Sequence, residues 1–123
     1  MSYRLSKRSY SNLTGVKAEL VHVVCKAIEI TEVDFVVIEG LRSKERQQEL
    51  FNKGKSQTMN SRHLTGEAVD LAAFVNGSVS WDLKYYRKIA DAMLESAGKL
   101  GLNIEWGGNW MTFKDGPHFQ LKR

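Results

Sequence analysis

The sequence predicts an α+β fold, an antiparallel sheet packed by helices, and three observations carry that expectation. Two long stretches, near residues 12–30 and 82–101, repeat apolar side chains every three or four positions, the period of a helix with one buried face. Around them stand short runs rich in β-branched and aromatic residues, with Asn-Gly and Gly-Gly pairs that favour tight reversals. The resulting order of helix, strand, helix, hairpin, helix and two strands does not alternate as a doubly wound parallel sheet requires.

"NLTGVKAELVHVVCKAIEI" sets Leu13, Val16, Leu20, Val23, Val24, Ala27 and Ile28 on one helical face, so it is expected as a core helix. "DFVVIEGLR" follows as a strand ending near Gly40. The polar stretch "SKERQQELFNKG" reads as a short surface helix, with Ser43 as N-cap and Gly54 as its stop. Residues 54–62 lack periodicity and are expected as a loop. "GEAVDLAAFV" and "NGSVSW" form a hairpin signal turning at Asn76-Gly77. A second core helix opens on the capping Asp82, carries Leu83, Tyr86, Ile89, Ala90, Met93, Leu94, Ala97 and Leu100 on one face, and closes at Gly101. The tail, "LNIEWGGNWMTFKDGPHFQLKR", reads as a strand, a glycine-rich loop and a final short strand.

Bulk properties narrow the class. With 123 residues and 42% hydrophobic content, the chain suits one domain, residues 1–123, with a real core. Cys25 is its only cysteine, which excludes an internal disulfide and any multi-cysteine zinc cluster. The basic start has no apolar run behind it, and no later stretch approaches the roughly 18 apolar residues of a membrane span, so a soluble chain made without Sec-type export is expected. A net charge of +4, scattered along the chain, does not imply nucleic-acid binding.

Chemistry concentrates in "SRHLTGEAVDL" and "DGPHFQL". A zinc site built for catalysis takes three protein ligands from His, Asp or Glu and leaves one position for water. Of the three histidines, His22 lies inside the first core helix, away from any polar cluster, and suits a boundary or core position. His63 follows a polar loop, whereas Asp70 stands inside an apolar strand where an unpartnered carboxylate is costly. Seven residues apart, the two would face opposite ways along an unbroken strand, so a turn or bulge near Gly66 is a requirement of joint ligation. His118 could be the third ligand, with Asp115 three residues earlier as general base and then general acid; alone, "DGP" is also ordinary turn chemistry. Arg42, at a strand mouth, could hold a developing oxyanion or be a solvated charge. Trp106 and Trp110 could wall a cleft that Gly107 and Gly108 open to a substrate backbone; equally, Trp106 could be core and the glycines a tight turn.

With "EWGGNWMTFKDGPHFQL", the segment "SRHLTGEAVDL" resembles the zinc-dependent L-alanyl-D-glutamate peptidases of the phage endolysin type, relatives of the D-alanyl-D-alanine carboxypeptidases and dipeptidases. The resemblance covers nearly the whole chain and implies the Hedgehog/D-Ala-D-Ala-peptidase-like fold. It also implies Zn2+ on His63, Asp70 and His118, Asp115 as acid/base, Arg42 as oxyanion stabiliser, and Ser61 as a residue that orders the site and binds substrate; Trp106 and Trp110 join Ser61 as substrate-binding candidates on the cleft reading. Glu105 remains a runner-up base, because wider relatives often use a glutamate. The implied substrate is the stem peptide of peptidoglycan, cut between L-alanine and D-glutamate by a monomer. Such an enzyme accumulates in the host cytoplasm and reaches the wall once the inner membrane is permeabilised, without stable membrane insertion or nucleic-acid partners. Alternatives are a D,D- or L,D-carboxypeptidase of the same superfamily, a non-catalytic wall-peptide-binding module with structural zinc, or a glycosidase using Glu39 and Asp115.

Overall fold

In the computed structural model, which describes residues 3–56, 59, 61–111 and 114–122, a mixed order of helices and strands emerges. It runs α1 (Lys7–Asn12), α2 (Ala18–Ile30), β1 (Phe35–Glu39), α3 (Lys44–Asn52), β2 (Ala68–Val75), β3 (Ser78–Ser80), α4 (Leu83–Lys99), β4 (Ile104–Trp106) and β5 (His118–Leu121). Short 3-10 turns stand at Arg62–Thr65 and Gly107–Asn109. All strand pairings are antiparallel, in the order β1-β2-β5-β4 with β3 also on β2, which is the expected α+β architecture. Ala73 pairs with both Phe35 and Ser80, and Asp70 with both Glu39 and His118. Strand β1 therefore holds one edge of β2, while β3 and β5 share the other.

The two faces of this sheet differ in chemistry. Val69, Leu71, Ala73, Phe119, Ile104 and Trp106 belong to the core that α2 and α4 cover. Fully burying each large aliphatic or aromatic side chain there contributes about 1.5–3 kcal/mol. Because side chains alternate along a strand, Asp70, His118, Gln120 and Glu105 project from the opposite face. Tyr86 fastens α4 to the hairpin, its hydroxyl donating to the Ser80 carbonyl at 2.7 Å and accepting from the Ala73 N–H at 3.1 Å. Asn76 and Gly77, with φ of 53° and 82°, make the expected two-residue reversal.

Several details depart from the sequence expectation. The first core helix begins at Ala18, so Leu13 and Val16 reach the core from the preceding loop, and His22 is exposed on α2. Helix α1 is additional: it is too polar to show a stripe, and it forms against the outer edge of β1. There Ser9 Oγ accepts from the Val37 N–H at 2.9 Å and Asn12 Nδ2 donates to the Val37 carbonyl at 2.8 Å, covering an edge strand that would otherwise expose both groups. On α4, Leu83 and Leu94 are exposed, as is Leu100 just past its end, and Ala92 and Ser96 are buried instead. Small residues let two helices approach closely, and Ser96 Oγ donates to the Val23 carbonyl of α2 at 2.7 Å. Ser43 and Asp82 cap α3 and α4 as expected. Within the expected loop over 54–62, residues 57, 58 and 60 lie outside the described residues, and Arg62 belongs to the 3-10 turn.

Candidate metal centre

The sheet itself brings two of the candidate ligands together. Asp70 and His118 are directly paired across β2 and β5, and directly opposed residues share a face with their Cβ atoms about 5 Å apart. On the other edge, Asp70 faces Glu39, which a regular β1 would have sent to the core face with Phe35 and Val37. The register shifts between Val37 and Glu39, and this irregularity re-aims Glu39 toward Asp70.

His63 arrives by a different route. Ser61 Oγ accepts from the His63 N–H at 3.2 Å and caps the 3-10 turn, which ends at Gly66 with φ 73°. That is the bend near Gly66 that convergence of His63 and Asp70 requires. A Cβ at Gly66 would collide with the carbonyl oxygen of Gly15, so only glycine fits there. Two further bonds lock the residue: the Arg42 N–H donates to the His63 carbonyl at 2.9 Å, and His63 Nδ1 meets the Gly40 carbonyl at 2.8 Å. A carbonyl only accepts, so Nδ1 carries the proton and Nε2 is left with its lone pair.

That Nε2 is buried and has no hydrogen-bond partner, although Asp70 Oδ1 lies 3.3 Å away. His118 Nδ1 approaches the same Oδ1 at 3.3 Å, and the two imidazole rings stand edge to face with centroids 5.0 Å apart. One donor atom from each of His63, Asp70 and His118 lies within 4.8 Å of the others, so the group could hold a metal ion. An unpartnered buried nitrogen costs roughly 1–3 kcal/mol, and a cation among these atoms would convert that cost into a bond. Two imidazole nitrogens and a carboxylate oxygen are a donor set that suits Zn2+. Burial alone would raise the Asp70 pKa, but the His118 and His63 imidazoles beside it hold it well below the usual carboxylate range. Burial works against protonation of His118, yet the adjacent Asp70 carboxylate, helped by Gln120, raises its pKa.

Arg42 is buried against this cluster. Its Nε donates to the Glu39 carboxylate, Nη1 to Gln47 Oε1 at 2.8 Å, and Nη2 reaches Asp70 Oδ2 at 3.5 Å. Gln47 in turn donates to Ser56 Oγ at 2.8 Å. Asp115 sits on the turn that leads into β5, where its N–H donates to the Gly107 carbonyl at 3.0 Å and its own carbonyl accepts from the His118 N–H at 3.1 Å. Burial, followed by the Asp70 charge, raises the Asp115 pKa against the opposing pull of His118, His63 and Arg42.

Trp110 is half-buried, its ring tilted against His118 at 5.1 Å between centroids. Trp106 is placed otherwise than a cleft wall: it is buried in the core, lies over Phe119, and donates its indole N–H to the Gly116 carbonyl at 2.7 Å. Alternation explains it, since Glu105 takes the polar face and its neighbour must take the other. Gly107 and Gly108 make room for the protein itself. A Cβ on Gly107 would strike the Asp115 carbonyl, and one on Gly108 would strike the Trp106 ring. Sequence reasoning gave no place to Gln47 or Gln120. A period-two count from His118 would have found Gln120; nothing local marks Gln47.

Comparison with known proteins converges on one family. The model of the phage L-alanyl-D-glutamate peptidases matches residues 1–121. The L-alanyl-D-glutamate peptidase of Escherichia phage T5 is 31% identical, with 100% of this chain and 92% of that protein aligned. The L-alanyl-D-glutamate peptidase of Listeria phage A118 is 33% identical over 93% of this chain, which spans 41% of that longer protein. Among solved structures, the L-Ala D-Glu endopeptidase ChiX of Serratia marcescens superposes with a TM-score of 0.93 at 50% identity, covering 98% of this chain and 91% of that one.

Proposed function

The chain belongs to the phage L-alanyl-D-glutamate peptidase family, and from that premise we propose a zinc metallopeptidase with the metal on His63, Asp70 and His118 and Asp115 as acid/base. The reaction is hydrolysis of the L-alanyl-D-glutamate bond in peptidoglycan stem peptides. The observation that carries the metal assignment is His63 Nε2, buried, lacking a hydrogen bond and facing Asp70 beside His118.

Bound there, Zn2+ supplies Lewis acidity and brings the pKa of water down toward about 7. Asp115 takes the proton of the attacking water and delivers it to the departing amine of D-glutamate. Arg42, fixed by Glu39 and Gln47, faces Asp70, and its charge and unengaged N–H groups are assigned to the oxyanion of the tetrahedral intermediate. Ser61 orders the turn that carries His63, and Trp110 offers an apolar surface beside His118 for the stem peptide. Glu39 is committed to Arg42, which leaves a glycosidase pair with Asp115 short of a free carboxyl.

No helix among the described residues is long and apolar enough to cross a membrane. We place synthesis in the host cytoplasm, action at the wall after permeabilisation of the inner membrane, and residues 1–123 as one monomeric catalytic unit.

Mass spectrometry of muropeptides digested with and without a chelator tests this function. Fragments beginning at D-glutamate are expected only without chelator, whereas loss of a terminal D-alanine would indicate a carboxypeptidase. His63→Ala should lose zinc and cleavage together. Asp115→Ala should keep zinc and lose about 10²–10⁴-fold in rate, and full activity in that variant would refute the acid/base assignment.

A further inference from the structure

Two polar side chains on the same sheet face take no part in the mechanism above. Gln120 lies two residues beyond His118 on β5, and Glu105 is its direct cross-strand partner on β4. His118 Nε2 is 2.9 Å from Gln120 Oε1, and Gln120 Nε2 donates to Glu105 Oε2 at 3.2 Å. Building on the zinc assignment, we propose that Gln120, oriented by Glu105, is a positioning residue that decides which nitrogen of His118 faces the metal.

An ionised carboxylate only accepts hydrogen bonds, so Glu105 turns the amide nitrogen of Gln120 toward itself. The amide oxygen then faces His118, and an acceptor at that point requires the proton on Nε2. Nδ1 keeps its lone pair and points at Asp70 Oδ1, 3.3 Å away. Without Glu105 the amide could turn over and present a donor to Nε2, which would favour the proton on Nδ1, the nitrogen needed for ligation. His63 shows the complementary arrangement, with its proton on Nδ1 against the Gly40 carbonyl and Nε2 toward Asp70. The two imidazoles thus offer opposite nitrogens to one point, and each is set by the acceptor behind it. This assigns Glu105 a role two bonds removed from the reacting atoms in place of the base role.

The test is zinc affinity, measured by competition with a chromophoric chelator in the full chain, together with the 1H–15N signals of the histidine rings in the zinc-loaded protein. Gln120→Leu keeps a side chain of similar size without the acceptor, and is expected to bind zinc about 10–100-fold more weakly. The ring proton on His118 Nε2, expected as a protected signal in the parent, should exchange rapidly in that variant. Glu105→Gln preserves a hydrogen-bonded amide pair, so a merely structural role would leave affinity and ring signal unmoved; a several-fold loss of affinity is expected instead. Circular dichroism checks that each variant folds, and should Gln120→Leu fail to fold, Glu105→Gln decides alone. Zinc binding by the parent with undiminished affinity in the folded variants, or a ring proton on His118 Nδ1, overturns this inference and leaves the metal site standing. No zinc binding by the parent overturns both.

Discussion

The imidazole of His63 is held by a main-chain carbonyl, and the imidazole of His118 is held by side chains. His63 is fixed by its own carbonyl and N–H, by the Gly40 carbonyl, and by a turn that only Gly66 can close. His118 is backed by the Gln120 amide, preceded by a turn that the Trp106 indole ties down, and flanked by the Trp110 ring. A site held by main chain resists gradual adjustment, since substitution either leaves it intact or dismantles it. A site held by side chains can be tuned in small steps. The difference therefore predicts where changes will be all-or-none and where they will be graded.

The strongest way to break the comparison is at its glycines. Gly66→Ala meets a left-handed backbone, φ 73°, and a collision with the Gly15 carbonyl together. The strain and the overpacking each cost about 1–3 kcal/mol, so roughly 3 kcal/mol or more should be lost in urea denaturation, with zinc binding abolished. On the other side, Gly107→Ala meets no left-handed backbone, only crowding against Asp115 and the Cβ of His118, and about 1–3 kcal/mol is expected. Equal losses from both would remove the distinction between the two sides.

The same contrast explains what could be read from the sequence. A polar residue inside an apolar strand announces itself, so Asp70 stood out within "AVDLAAF", and the glycine needed to bring His63 round was visible four residues before it. The Asn76-Gly77 reversal and the caps at Ser43 and Asp82 are local chemistry and were legible for that reason. What stayed hidden depends on contacts distant in the chain. Helix α1 forms because Ser9 and Asn12 meet Val37, and nothing in "KRSYSN" tells of that strand. The irregularity that turns Glu39 toward Arg42 leaves no mark in "FVVIE". The stripe on α4 includes Ala92 and Ser96 rather than Leu94, because closeness to α2 outweighed hydrophobicity there.

A graded response should come from Trp106→Phe. The ring stays over Phe119, but the bond to the Gly116 carbonyl at 2.7 Å is lost, a cost of about 1 kcal/mol. That bond steadies the turn joining Asp115 to His118, so amide hydrogen exchange should quicken at Asp115 and His118 and stay unchanged at His63. Quickening at His63 as well would show that the two sides are mechanically one.

The smallest effect is expected where a side chain supports the main-chain side. Ser61→Ala removes the oxygen that accepts the His63 N–H at 3.2 Å, and loss of a helix cap costs about 0.5–2 kcal/mol. The short turn it caps has independent anchors in the Arg42 N–H and the Gly40 carbonyl, both main-chain groups that the substitution leaves in place. The loss should therefore fall at the low end of that range, about 0.5 kcal/mol, and zinc affinity should change by less than about threefold in the chelator competition. A loss of tenfold or more would mean that Ser61, and not the backbone, sets the position of His63, and the contrast with Gln120 would disappear.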